Sequence, residues 1–217
     1  MITRREFVAG SAVLALTGTA LSALDWNFVG TAFAQTPSAA DLAVAGPLGD
    51  EVQGKADAPV TIIEYASMTC GHCATFHTKT YPVLKSRYID TGKVKYIMRE
   101  FPLDPLAAAG FMLARCAGPD KYYPMIEVLF QKQDQWAVQQ PIPPLTAIAK
   151  QAGFSQEKFE SCLSDQKILD GIEATRTRGS EKLGVNSTPT FFVNGKMLRG
   201  AVSIEELEKE ILPAIKS

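Results

Sequence analysis

The sequence predicts an α/β fold in which a strand–helix–strand unit and a strand–strand–helix unit are separated by a block of helices. Three observations predict it. Val60-Thr61-Ile62-Ile63-Glu64-Tyr65 is an apolar, β-branched run that leads directly into a helical segment. Between Asp104 and about Leu183 the apolar residues recur almost only at helical spacing. Near the C-terminus, Thr190-Phe191-Phe192-Val193 and Lys196-Met197-Leu198-Arg199 flank Asn194-Gly195, a two-residue hairpin turn.

Taken in order, the chain opens on a basic segment, Thr3-Arg4-Arg5-Glu6-Phe7-Val8, and carries no charge from Phe7 to Leu24. Ala32-Phe33-Ala34 before Gln35 is a small-x-small cleavage signal, so residues 1–34 read as a removable export signal. The paired arginines followed by Glu6-Phe7 resemble a twin-arginine motif, although Val8-Ala9 depart from its usual continuation. Gly10, Ser11, Thr17, Gly18, Thr19 and Ser22 dilute the apolar stretch and argue against an uncleaved anchor. Residues 35–49, rich in Ala, Ser, Pro and Gly without periodicity, read as a flexible lead-in, and the folded domain is expected over 50–217.

Asp57-Ala58-Pro59 is a turn signal before the first strand. A helix is expected from Ala74 to about Asp90, with Phe76, Tyr81, Leu84 and Tyr88 on one face and a kink at Pro82. Gly92 ends it, and Val94 to Phe101 is the second strand. The insertion, about 104–183, begins with helices around Leu106–Ala117 and Tyr123–Phe130. After a break at Gln140-Pro141-Ile142-Pro143-Pro144 come helices at 145–152, at 156–163 capped by Ser155, and at 166–183 closed by Gly184. Ser203 with Glu206 forms a capping box for a terminal helix reaching about Ile215.

A chain of 217 residues with 46% hydrophobic and 21% charged residues has enough apolar surface for one domain with an insertion. A formal net charge of −1 gives no sign of a nucleic-acid partner. Four cysteines, read together with an export signal, fit an oxidising compartment.

The chemistry centres on Cys70-Gly71-His72-Cys73, placed where the first strand gives way to a helix. A cysteine at a helix N-terminus faces free backbone N–H groups and the positive end of the helix dipole, and both favour thiolate. A second sulfur one turn on can close a disulfide with it, so the pair can pass two electrons through a mixed disulfide. Cys70 is the candidate nucleophile and Cys73 the resolving partner. Half a zinc site would have the same spacing, but it needs a second ligand pair; the two histidines, His72 and His77, both lie beside the motif, and Cys116 and Cys162 stand apart. No metal or other cofactor is expected for exchange chemistry. Soft-metal handling by Cys70, Cys73 and His72 is the alternative from a different class.

This motif, with the cis-proline-type segment Gly184-Val185-Asn186-Ser187-Thr188-Pro189-Thr190-Phe191-Phe192-Val193, resembles the DsbA-type thiol–disulfide oxidoreductases. The resemblance spans about residues 50–217 and implies a thioredoxin fold with a helical insertion between its βαβ and ββα halves. It implies that His72 supports the Cys70 thiolate. It implies that Glu64, six residues before Cys70, is a buried acid assisting proton transfer at Cys73; the alternative is a sheet-edge ion pair with Lys95 or Arg99. Thr188 and a cis Pro189 would face the cysteines and offer backbone to an extended substrate. Cys116 and Cys162 would be bridged, as in some similar proteins. His77 reads as a solvated helix residue. The implied activity is oxidation of newly exported cysteine-containing proteins by a periplasmic monomer, with a quinone-linked membrane partner to reoxidise it. A reductase or isomerase is the alternative within the class, although a DsbC-like dimer would need more chain before the fold.

Overall fold

A computed structural model describes residues 37–216; the export signal read over 1–34 lies outside the described residues. The sheet has five strands: β1 (Glu51–Gln53), β2 (Val60–Ala66), β3 (Val94–Glu100), β4 (Thr190–Val193) and β5 (Lys196–Arg199). Their order is β1-β3-β2-β4-β5. β2 and β3 are parallel, whereas β1 joins β3, β4 joins β2 and β5 joins β4 antiparallel. The central pair is β2 with β4, in the register Ile62↔Val193 to Tyr65↔Thr190. The insertion between β3 and β4 is helical, as expected.

Because strand side chains alternate, the sheet separates two cores. Ile62, Ala66, Tyr96, Met98 and Phe191 face one side, where Phe76, Leu84 and the insertion helices pack. Ile63, Tyr65, Ile97 and Phe192 face the other, with Leu42, Phe101, Leu183 and Val185.

Two unexpected elements precede β2. The lead-in carries a short helix, α1 (Ala39–Ala43), capped by Ser38, and its Leu42 is buried against the sheet. Residues 37–49 are therefore no unstructured lead-in. Leu42 also supplies a carbonyl to Arg99, whose guanidinium is clamped by Asp50 at 2.9 and 2.8 Å. β1 is the other addition, a three-residue edge strand.

The helix after β2, here α2 (71–89), begins at Gly71, with Cys70 as its N-cap, earlier than the expected Ala74. Around Pro82 it widens into π turns at Phe76–Thr80 and Lys85–Ile89. Tyr81 N–H bonds back five residues to Phe76. This spacing accommodates a proline ring that would clash in an α-turn, so the expected break is a change of hydrogen-bond ladder.

In the insertion, α3 (Pro105–Ala117) and α4 (Pro119–Gln131) are followed by a short α5 (Gln133–Trp136), then α6 (Ile142–Gln151), α7 (Gln156–Leu163) and α8 (Gln166–Leu183). α6 starts inside the proline-rich break because Pro143 and Pro144 occupy its first turn, where no N–H partner is required. α8 lies very close to the sheet: a Cβ on Gly179 would fall 2.8 Å from the Tyr65 ring. Asn194 and Gly195 take φ of 45° and 92°, making the hairpin turn. The terminal helix α9 (Ile204–Ile215) carries the full Ser203/Glu206 capping box.

Candidate active site

The end of β2 and the start of α2 fix the two cysteines. Ser67 to Cys70 forms a turn closed by Cys70 N–H to Ser67 C=O at 3.1 Å. Thr69 Oγ1 donates to Asp104 Oδ2 (2.6 Å), and Leu103 N–H donates to Ser67 Oγ (3.2 Å), tying this turn to the loop after β3. From the insertion, the Gln133 side-chain amide donates to the carbonyls of Met68 (2.8 Å) and Cys70 (3.1 Å). Nothing in the sequence singled out Gln133, because the contact exists only once α5 folds back on the turn.

Cys70 and Cys73 are both free thiols, so the structure is of the dithiol form. Cys70 is half-buried and Cys73 fully buried. Cys70 Sγ accepts the Cys73 N–H at 3.4 Å and lies 3.3 Å from the Thr188 carbonyl oxygen. The Cys73 thiol donating to Cys70 sulfur is the largest influence on its acidity. With the Thr188 hydroxyl and the N–H groups of Cys73 and His72 it outweighs burial, and the Cys70 pKa falls from 9.0 to about 5. Cys73 moves the other way: burial, then its bond to Cys70 and the charge of Glu64, push it well above the ordinary thiol value. The pair is thus split into a ready thiolate and a thiol that resists ionisation.

Two expectations, for His72 and His77, change in detail, and for Glu64 the alternative falls. His72 is exposed, and among the described residues its imidazole makes no hydrogen bond to Cys70 Sγ; the residue acts on the sulfur through its backbone N–H. The helix turns the side chain outward while aiming the N–H at the N-cap sulfur. Glu64 is fully buried and pairs with neither Lys95 nor Arg99. β2 is a central strand, and both cations, paired with Thr61 and Tyr65, belong to the opposite face. Instead Glu64 Oε2 accepts a hydrogen bond from the Tyr96 hydroxyl and lies 3.0 Å from His77 Nε2. His77, read as a solvated residue, is 4% exposed. A signal for it existed: four residues past Cys73, it shares that cysteine's inward helix face. Burial, and Glu64 whenever it is ionised, hold the Tyr96 hydroxyl far above its ordinary pKa, so it remains a donor.

The Thr188–Pro189 bond is cis, and it presents the Thr188 carbonyl to Cys70. Thr188 Oγ1 is buried without a partner in this form. Cys116 at the end of α3 and Cys162 in α7 are joined by a disulfide. The structure therefore brings Cys70, Cys73 and the cis Thr188–Pro189 bond together, buries Glu64 beside Tyr96 and His77, and carries the Cys116–Cys162 bridge in the insertion. Among the described residues, no group of three or more His, Cys, Asp or Glu side chains is gathered as for a metal ion.

Comparison with known proteins agrees with this geometry. A family model described as Thioredoxin matches residues 48–212. The chain is 36% identical over 148 residues to a putative protein-disulfide oxidoreductase of Rickettsia bellii, covering 67% of this chain and 57% of that protein. Another such protein, from Rickettsia typhi, is covered to 62%, so the chain spans about three fifths of the length of these relatives. Among solved structures, alpha-DsbA1 of Wolbachia pipientis matches with a TM-score of 0.77 at 31% identity, over 82% of this chain and 96% of that one. BdbD of Bacillus subtilis matches with a TM-score of 0.67 at 25% identity, over 84% and 97%. With the helical insertion between its parallel and antiparallel strand pairs, the chain belongs to the thioredoxin family and is of the DsbA type.

Proposed function

We propose that the chain is a protein thiol–disulfide oxidase acting on newly exported proteins. The observation that carries this reading is the split between the two thiols, Cys70 lowered to about 5 and Cys73 raised. A thiolate so stabilised in the dithiol form makes the corresponding disulfide a strong oxidant, because Cys70 is a good leaving group.

The steps follow from access. In the disulfide form, a substrate thiolate attacks Cys70 Sγ, the more exposed sulfur; the Cys70–Cys73 bond breaks and Cys73 leaves with the electron pair. Buried Cys73 then takes a proton, with the buried Glu64 as the acid that gives it. The substrate's second thiolate attacks the substrate sulfur of the mixed disulfide. The substrate disulfide forms and Cys70 departs as thiolate, so two electrons have passed to the enzyme. The main chain of Thr188, held against Cys70 by the cis Pro189 bond, offers an edge to an extended substrate segment.

A periplasmic setting, reached after removal of residues 1–34, supports persistence of the Cys116–Cys162 bridge. The disulfide is regenerated by a quinone-linked membrane partner, and the enzyme works as a monomer. Equilibration with glutathione tests the direction. The reading requires a potential between about −120 and −190 mV, whereas a value near −270 mV would identify a reductase.

A further inference from the structure

His77 has no part in the exchange as written, yet its burial is elaborate. The ring stacks on Phe130 of α4 at 4.2 Å and 17°, and meets Phe76 edge-on at 5.4 Å. It lies in the first π turn of α2, a distortion that recurs at functional positions. Nε2 is 3.0 Å from Glu64 Oε2, while His77 Nδ1 and Glu64 Oε1 are buried without partners. The same residue lines a surface cavity of about 190 Å³, together with Tyr81, Lys85, Asp90, Glu127 and Gln131. Pro82, Ser86 and Asp90 are exposed at its rim. A polar line thus runs from the neighbourhood of Cys73 through Glu64 and His77 to a water-accessible cavity that includes no residue of the Cys70–Thr188 face.

We propose that His77 relays protons between Glu64 and that cavity, so that the buried acid is reloaded while a bound substrate covers Cys70. His77 is a positioning residue here, acting through Glu64, and the proposal rests on the disulfide-exchange reading above. When Cys73 leaves as thiolate, Glu64 gives its proton to Cys73 Sγ. His77 passes its Nε2 proton to Glu64 and takes one at Nδ1 from cavity water, a net transfer of one proton from solvent to Cys73. On reoxidation each transfer reverses: the proton leaves Cys73 and the ring regains its Nε2 proton. The two half-reactions therefore restore the tautomer once per cycle. The other titratable groups around the ring do not replace it. Tyr81 and Tyr96 are held as phenols by burial, and Lys85, Asp90 and Glu127 line the cavity and, among the described residues, make no hydrogen bond to Glu64.

Two measurements test this. Nitrogen-15 spectra of the His77 ring in the full-length protein should show the proton on Nε2 in the disulfide form and on Nδ1 in the dithiol form. The same tautomer in both forms overturns the relay, with no substitution that could disturb folding. His77→Gln keeps a donor toward Glu64 but cannot exchange a proton. It should slow reduction of the enzyme disulfide by a peptide dithiol about tenfold and change the shape of the pH–rate profile, with Cys70 alkylation unchanged. An unchanged rate and profile in His77→Gln also overturns it. If the wild type fails to oxidise the peptide, the oxidase reading falls, while the tautomer comparison on chemically oxidised and reduced protein still decides the relay.

Discussion

Cys70 Sγ and the Thr188 carbonyl oxygen lie 3.3 Å apart although 118 positions separate them in the chain. The contact belongs to the thiol form, in which the S–H donates to the carbonyl; on ionisation the donors become the Cys73 thiol, the Thr188 hydroxyl and the N–H groups of Cys73 and His72. Iodoacetamide alkylation of the reduced protein should therefore titrate with a midpoint near 5 for Cys70. A group whose folded pKa is depressed stabilises the fold above its unfolded value and loses that stabilisation as pH falls through the folded value. The dithiol form should accordingly lose stability relative to the disulfide form as pH drops from about 9 toward 5, seen in urea unfolding of both forms. A Cys70 midpoint near 9 would contradict the geometry.

His72→Ala should move the Cys70 midpoint upward by under about one unit. The His72 side chain is exposed, where water screens any influence on the sulfur, and the backbone N–H survives the substitution. Alkylation at low and high salt checks this, since screening should shrink the difference further.

Gln133→Leu should loosen the Met68–Cys70 turn without touching either sulfur. Two carbonyls lose their side-chain donor, at a cost of about 1–2 kcal/mol in chemical unfolding. The Cys70 midpoint should rise at the same time, because the sulfur is no longer held over the Cys73 N–H. Loss of stability with an unchanged midpoint would make Gln133 a packing residue only.

Cys116→Ser should lower stability by about 2–4 kcal/mol, the range for a native bridge closing a loop of this kind, here with a sequence separation of 46. The bridge joins α3 and α7, away from the Cys70 turn, so the alkylation midpoint should stay put. A shift of both quantities would show that the insertion transmits strain to the site.

What the sequence disclosed was local. β2, the Cys70–Cys73 spacing, the Asn194-Gly195 hairpin, the Ser155 cap and the Ser203/Glu206 box each lie within a few residues and depend on backbone rules that near neighbours satisfy. α1 and β1 escaped because five and three residues are too short for a period to register; their place comes from Arg99 gripping Leu42 and Asp50 across the sheet. His77 escaped because its burial is supplied by Phe130 on α4 and Glu64 on β2, neither of which its own neighbourhood announces. His72 offers Cys70 its backbone N–H for a related reason: the composition of a turn does not reveal which atoms point inward.

β4, the strand that completes the centre of the sheet beside β2, comes after the whole helical insertion. Its pairing is non-local, and the Thr188 carbonyl arrives with it. A nascent chain that has emerged only as far as Leu183 already carries both cysteines and Gln133, but not the Thr188 main chain that lies against Cys70. Synthesis order thus leaves the substrate-pairing edge to the end, supplied only when the last strands dock beside β2.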